Sequence, residues 1–172
     1  PSMMEGKRVQ AKYSLLISMA MESNALYPDN FSYLQPAMDF YLKKGNPDEK
    51  LRTFYLMGRI CENTGDFQGA MESYVKGLAE ATGAKDAATA AKMHYAKGNM
   101  HRSLRQWDKH VLHMKEAAAL FEECGDYTLC FDSWANVFSG YVAMESREDA
   151  AQVLENLQAM ADRENPNELS LL

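Results

Sequence analysis

The chain has 172 residues, 47% hydrophobic and 24% charged, with a formal charge of −6. That balance argues against a disordered chain, because enough apolar surface is present to offset chain entropy. It also disfavours nucleic acid as a direct partner, since no Lys/Arg stripe or basic tail stands out. No apolar run approaches the roughly 18 residues of a membrane span, so no membrane contact is expected from this segment.

The opening Pro1-Ser2-Met3-Met4-Glu5 reads as an excised piece of a longer protein, and no secretory signal is visible. Residues 6–24 place Val9, Tyr13, Leu16, Ile17 and Ala20 on one helical face. Tyr27-Pro28-Asp29-Asn30 breaks the chain. A second helix is expected over 31–44, with Leu34, Ala37, Met38 and Tyr41 inward and Pro36 in its first turn or at a bend. Gly45-Asn46-Pro47 ends it.

Over residues 51–81, apolar residues fall at helical spacing at Phe54, Met57 and Cys61, then at Phe67, Ala70, Tyr74 and Leu78. Between the two runs, Gly65 suits a left-handed helix end and Asp66 a helix cap. The segment therefore reads as a helix, a tight turn and an antiparallel helix. Small residues at Gly58 and Ala70 would let two helix backbones approach closely. A shift of 40 residues brings Gly98 to the place of Gly58 and Ala117 to that of Gly77, with Trp107 falling where Phe67 falls. A further shift brings Trp134, Tyr141 and Ala150 into register. Turns are expected near 25–30, 45–48, 64–66, 82–86, 103–106, 125–127 and 145–147. In the last helix Val153, Leu154, Leu157 and Met160 form a core stripe, and the tail Glu168 to Leu172 looks like the start of another element. That tail favours a longer parent protein or a homodimer contact.

The run Phe54, Gly58, Cys61, Ala70, Tyr74 and Gly77 resembles the tetratricopeptide repeat, with Cys61 standing where that family carries an aromatic. The second copy is degenerate: His94, His101 and His110 occupy packing positions. The resemblance implies one all-α domain over 1–172, a right-handed α-α superhelix of four antiparallel pairs at about 7–45, 48–83, 86–124 and 127–163. Residues 12–80 are also similar to a narrower group, tetratricopeptide proteins of the Bacteroidetes. The similarity rests on Ala37-Met38-Asp39-Phe40-Tyr41, Lys44-Gly45, Tyr55-Leu56-Met57-Gly58-Arg59 and Gly65-Asp66-Phe67. In that group the repeats often sit in membrane-anchored, extracytoplasmic proteins, some with a helix-turn-helix region downstream.

The resemblance implies a concave face on the first helix of each pair. It would hold Arg52, Tyr55, Arg59 and Glu62, then Lys92, Tyr95, Asn99 and Arg102, then Asp132, Ala135, Ser139 and Val142. The two central sets present four cations, two tyrosines and an Asn against one Glu. Arg pairs carboxylates bidentately, and Tyr adds flat contact area at low entropic cost. The expected function is a protein- or peptide-binding scaffold for an acidic segment, with Arg52, Tyr55, Arg59, Lys92, Tyr95, Asn99 and Arg102 making contact. The other reading is a sensory or structural segment of a membrane-anchored regulator.

No enzyme and no cofactor are expected. The phosphate-loop, dinucleotide and nucleophile-elbow motifs are absent, and Glu122-Glu123 and Glu148-Asp149 read as solvated faces. Cys61, Cys124 and Cys130 have no CxxC spacing and read as free thiols. His110, His113 and Glu116 lie at i, i+3 and i+6, yet without an HExxH pattern no metal is expected. If His94, His101 and His110 are partly buried, their protonation near pH 5–6 would loosen the second repeat.

Overall fold

The computed structural model describes residues 3–164, which form eight α-helices and no strand. These are α1 (Met3–Ser23), α2 (Gln35–Lys44), α3 (Pro47–Asn63), α4 (Phe67–Glu80), α5 (Ala87–Ser103), α6 (Trp107–Glu123), α7 (Tyr127–Ala143) and α8 (Arg147–Glu164). Contacts divide the chain into two compact units, Pro1–Met93 and His94–Leu172, with the division inside α5. No described helix is long and apolar enough to cross a membrane.

From α3 onward, helices begin at residues 47, 67, 87, 107, 127 and 147, a spacing of 20. The residue before each start is Asn46, Asp66, Asp86, Gln106, Asp126 and Ser146. Five of these six are good caps, because a short oxygen-bearing side chain can accept from an otherwise orphaned backbone N–H. Asn46 accepts from Glu49 N at 2.9 Å, and Glu49 closes a capping box by accepting from Asn46 N. Asp66 accepts from Gly69 N, Asp86 from Thr89 N and Asp126 from Leu129 N, at 2.9–3.1 Å. Four of the helix ends carry a residue in the left-handed region just before the next cap: Gly65, Arg105, Gly125 and Glu145. Glycine takes that conformation freely; Arg105 and Glu145 adopt it against a steric cost of about 1 kcal/mol each.

In the first unit, α3 and α4 run antiparallel: Phe54 lies against Gly77, Gly58 against Tyr74 and Cys61 against Gly69. The close approach depends on the missing side chain at Gly58, where a Cβ would come within 2.2 Å of the Tyr74 ring. Tyr74 is fully buried there, and Leu34, Ala37, Tyr41, Leu51 and Phe54 are buried with it. Pro36 sits in the first turn of α2, where it costs no hydrogen bond. That helix starts at Gln35, later than the expected 31, because Phe31 to Leu34 form a turn.

The face of α1 expected to be inward is not. Val9, Tyr13, Leu16 and Ile17 are exposed, and Ala20 with them. The side that packs is small: Ala11, Ser14, Leu15 and Ser18. Ser14 donates to Tyr33 O at 2.6 Å and accepts from Ala37 N at 3.3 Å, which ties α1 to α2. Short side chains win this face because they let the helices meet through hydrogen bonds. Phe67 is likewise exposed, although its spacing had placed it inward.

In the second unit, Val111, Met114, Val137, Val153 and Leu157 form one cluster joining α6, α7 and α8, with Trp134, Phe138 and Tyr141 packed on it. Leu154, expected in that stripe, is exposed. The tail Glu168 to Leu172 lies outside the described residues.

Gly58 and Gly98, helix-interior glycines that each meet a partner helix, differ in what they face. A Cβ on Gly58 meets a rigid tyrosine ring at 2.2 Å, whereas one on Gly98 meets the flexible Met114 tip at 2.9 Å. Gly58→Ala is expected to lose about 2 kcal/mol through overpacking. Gly98→Ala is expected to be neutral or slightly stabilising, since Ala gains up to about 1 kcal/mol of helix propensity. Urea-unfolding midpoints of the two variants check this order.

Candidate binding surface

The seven residues expected to make contact fall into two sets. Arg52, Tyr55, Arg59 and Lys92 belong to the first unit; Tyr95, Asn99 and Arg102 belong to the second. On each helix they stand three or four residues apart and so share a face.

In the first unit each of these groups has a partner, while the buried Arg59 Nε takes part in no hydrogen bond among the described residues. Arg52 Nε donates to Asp86 Oδ2 at 2.5 Å. Burial alone would raise the Asp86 carboxyl, but the Thr89 N–H and the Arg52 guanidinium outweigh it and hold the carboxyl below its ordinary value. Tyr55 is 8% exposed, and its hydroxyl donates to Glu22 Oε1 at 2.6 Å. Burial, and then the Glu22 hydrogen bond, push the Tyr55 phenol well above its usual range. Lys92 Nζ stands 3.7 Å from Glu22 Oε2 and 5.8 Å from the Tyr55 ring centre. Arg59 is bonded to Glu62 and lies over the Tyr27 ring at 4.9 Å. Burial opposes the Arg59 charge, but the Glu62 carboxylate together with Tyr55, Tyr27 and Tyr74 outweighs it and raises the guanidinium further.

The surplus of cations counted along the sequence is therefore offset in three dimensions. Glu22 comes from α1 and Asp86 from the cap of α5, and both add to Glu62. Glu22 and Asp86 are 33 and 34 residues from their partners Tyr55 and Arg52, so local spacing did not reveal them.

In the second unit the partners are fewer. Tyr95 donates to Asp132 Oδ2 at 2.6 Å. Arg102 is exposed, and its Nη1 donates to the neutral Asn136 Oδ1 at 3.0 Å. Asn99 Oδ1 is buried and takes no hydrogen bond from the described residues. A guanidinium has five N–H donors, so Arg102 retains unused capacity beside an unused acceptor.

The histidines divide differently from the sequence expectation. His110 is fully buried, with Nδ1 2.9 Å from Gly98 O and Nε2 3.0 Å from Asn136 O. A neutral ring can donate to only one of these carbonyls. His94, His101 and His113 instead form a cluster between α5 and α6. His94 Nδ1 is 3.3 Å from His113 Nδ1, and the His101 ring stacks on His113 at 5.3 Å with planes 12° apart. Glu116 acts on His94 but does not converge with His110 and His113 as a ligand set. Among the described residues no group of three or more His, Cys, Asp or Glu could hold a metal ion. Cys61 and Cys130 are buried free thiols and Cys124 is exposed.

No family model matches the chain, and no curated protein matches it.

Burial, and then Lys97, lower His94; burial lowers His101, with Lys109 and Lys97 adding to it against the Gln106 hydrogen bond. Burial and then Lys97 push His113 down to about 3. These folded values lie below the unfolded one of about 6.5, so the unfolded chain binds more protons in between. The stability is then fully present above about pH 6.5 and is lost as pH falls toward the folded values. The chain is expected to unfold at lower urea at pH 5.5 than at pH 7.5, and His113→Gln is expected to flatten that difference. Equal midpoints in the wild type at both pH values would contradict it.

Proposed function

We propose that the chain is a tetratricopeptide-like helical repeat module that binds an extended segment of a protein partner. The observation that carries this reading is the unused hydrogen-bonding capacity on α5: the exposed Arg102 guanidinium and the buried, unpaired Asn99 Oδ1, one turn apart and next to Tyr95. An unpaired buried acceptor costs about 1–3 kcal/mol, a cost that a donor from a partner would remove. An extended acidic peptide offers the matching chemistry, a side-chain or terminal carboxylate for the exposed Arg102. Tyr95, held by Asp132, adds contact area with little rotamer entropy to lose.

The repeat assignment is supported by the 20-residue recurrence of helix starts, which gives a 40-residue helix pair. It is supported too by the close approach at Gly58 and Gly98, one such period apart. A right-handed superhelical stack of these pairs is the architecture we infer from that recurrence. On this reading the ion-paired or hydrogen-bonded residues of the first unit, Arg52, Tyr55 and Arg59, hold the scaffold together, and recognition rests on Tyr95, Asn99 and Arg102.

Displayed peptide libraries panned on the chain are expected to yield acidic sequences. Their binding, followed by fluorescence anisotropy, should weaken at least tenfold in Arg102→Glu and fall with added salt, consistent with loss of a charge-assisted bond. Undiminished binding in Arg102→Glu and Asn99→Ala, both with wild-type helical content, would contradict this assignment.

A further inference from the structure

We propose that His94 and His113 form a chelating site for a divalent transition-metal ion of the zinc class, with solvent completing its coordination. The two imidazoles come from the middles of α5 and α6, so each is held by regular helix on both sides. Their Nδ1 atoms face one another across 3.3 Å. That separation allows a hydrogen bond between the rings when one Nδ1 carries the proton. It equals the separation of two nitrogens bound at about 2.0–2.1 Å to one tetrahedral ion, which geometry sets at about 3.3–3.4 Å. The spacing of the two nitrogens is thus that of two ligands of one ion.

Both rings are partly exposed, so an ion and its waters have access. Ligation needs the neutral imidazole, and burial keeps both rings in that form at neutral pH. The His101 ring stacks on His113. Its Nδ1 lies 2.8 Å from Gln106 Oε1, an acceptor, so Nδ1 carries the proton and the His101 ring is fixed in place. This supporting contact orients the His113 plane, as outer groups do around metal-binding histidines.

The charges that face the pair set its strength. On α5 these are Lys97 and His101; on α6 they are Lys109 and Glu116. The two lysines oppose a cation and Glu116 favours one. With two protein ligands in place of the three or four of a permanent zinc site, the ion is exchangeable.

Zinc titration of the full chain by calorimetry at pH 7.5 tests the site. One Zn²⁺ per chain is expected, bound at least tenfold more weakly in His94→Gln and in His113→Gln, and unchanged in Cys124→Ser, which removes the exposed thiol. Absence of wild-type binding would overturn the proposal, as would binding lost in Cys124→Ser but kept in both histidine variants. If those variants lose helical content, trace Cu²⁺ added to the wild-type chain decides the matter by NMR. Selective broadening of the His94 and His113 ring signals supports the site; broadening centred on other residues overturns it.

Discussion

From α3 onward the structure depends on a helix being stopped and restarted every 20 residues. The device is local: a short polar side chain accepts a hydrogen bond from the first turn of the next helix, and the residue before it turns the chain through the left-handed region. Each cap contributes about 1 kcal/mol, which is modest beside the burial of a Tyr74 or a Phe54. Its larger effect is on register. Because the stops recur at fixed spacing, Gly58 and Gly98 arrive at equivalent places on successive helices, and so do the polar residues beside them.

Register also explains the electrostatics. The cap position Asp86 serves two purposes, accepting from Thr89 N at the start of α5 and from Arg52 on α3. A carboxylate held by both is fixed in place, and so is the arginine. Glu22 does the same for Tyr55 and Lys92. Ion pairs this exposed contribute little stability, roughly 0–1 kcal/mol each. They do neutralise the cations of the first unit, whereas Arg102 faces the uncharged Asn136.

The helical character, most of the turns and the 40-residue recurrence were legible in the sequence, because Gly65-Asp66 and Gly125-Asp126 mark them chemically. The finer 20-residue spacing was equally written there, in Asn46, Asp66, Asp86, Asp126 and Ser146, but caps carry less visual weight than apolar stripes. The inward side of α1 was misread because periodicity identifies an apolar face and not whether anything covers it; Ser14 and Ser18 carry the contact instead. The charge partners were hidden by distance, since Glu22 and Asp86 meet residues more than 30 positions away. Among the histidines, spacing pointed to His94, His101 and His110. Helix geometry turned His110 onto two carbonyls and brought His113 into the cluster.

The turns at Arg105 and Glu145 bear hardest on this account, since neither has the glycine that favours a stop. Amide hydrogen exchange, read residue by residue, tests them directly. The account predicts fast-exchanging amides confined to the first turns of α6 and α8, at 107–109 and 148–149, matching those at 67–68 and 127–128, with protected stretches between. Unbroken protection through 107–109 or 148–149 would mean fused helices, and would contradict the 20-residue register on which the proposed surface rests.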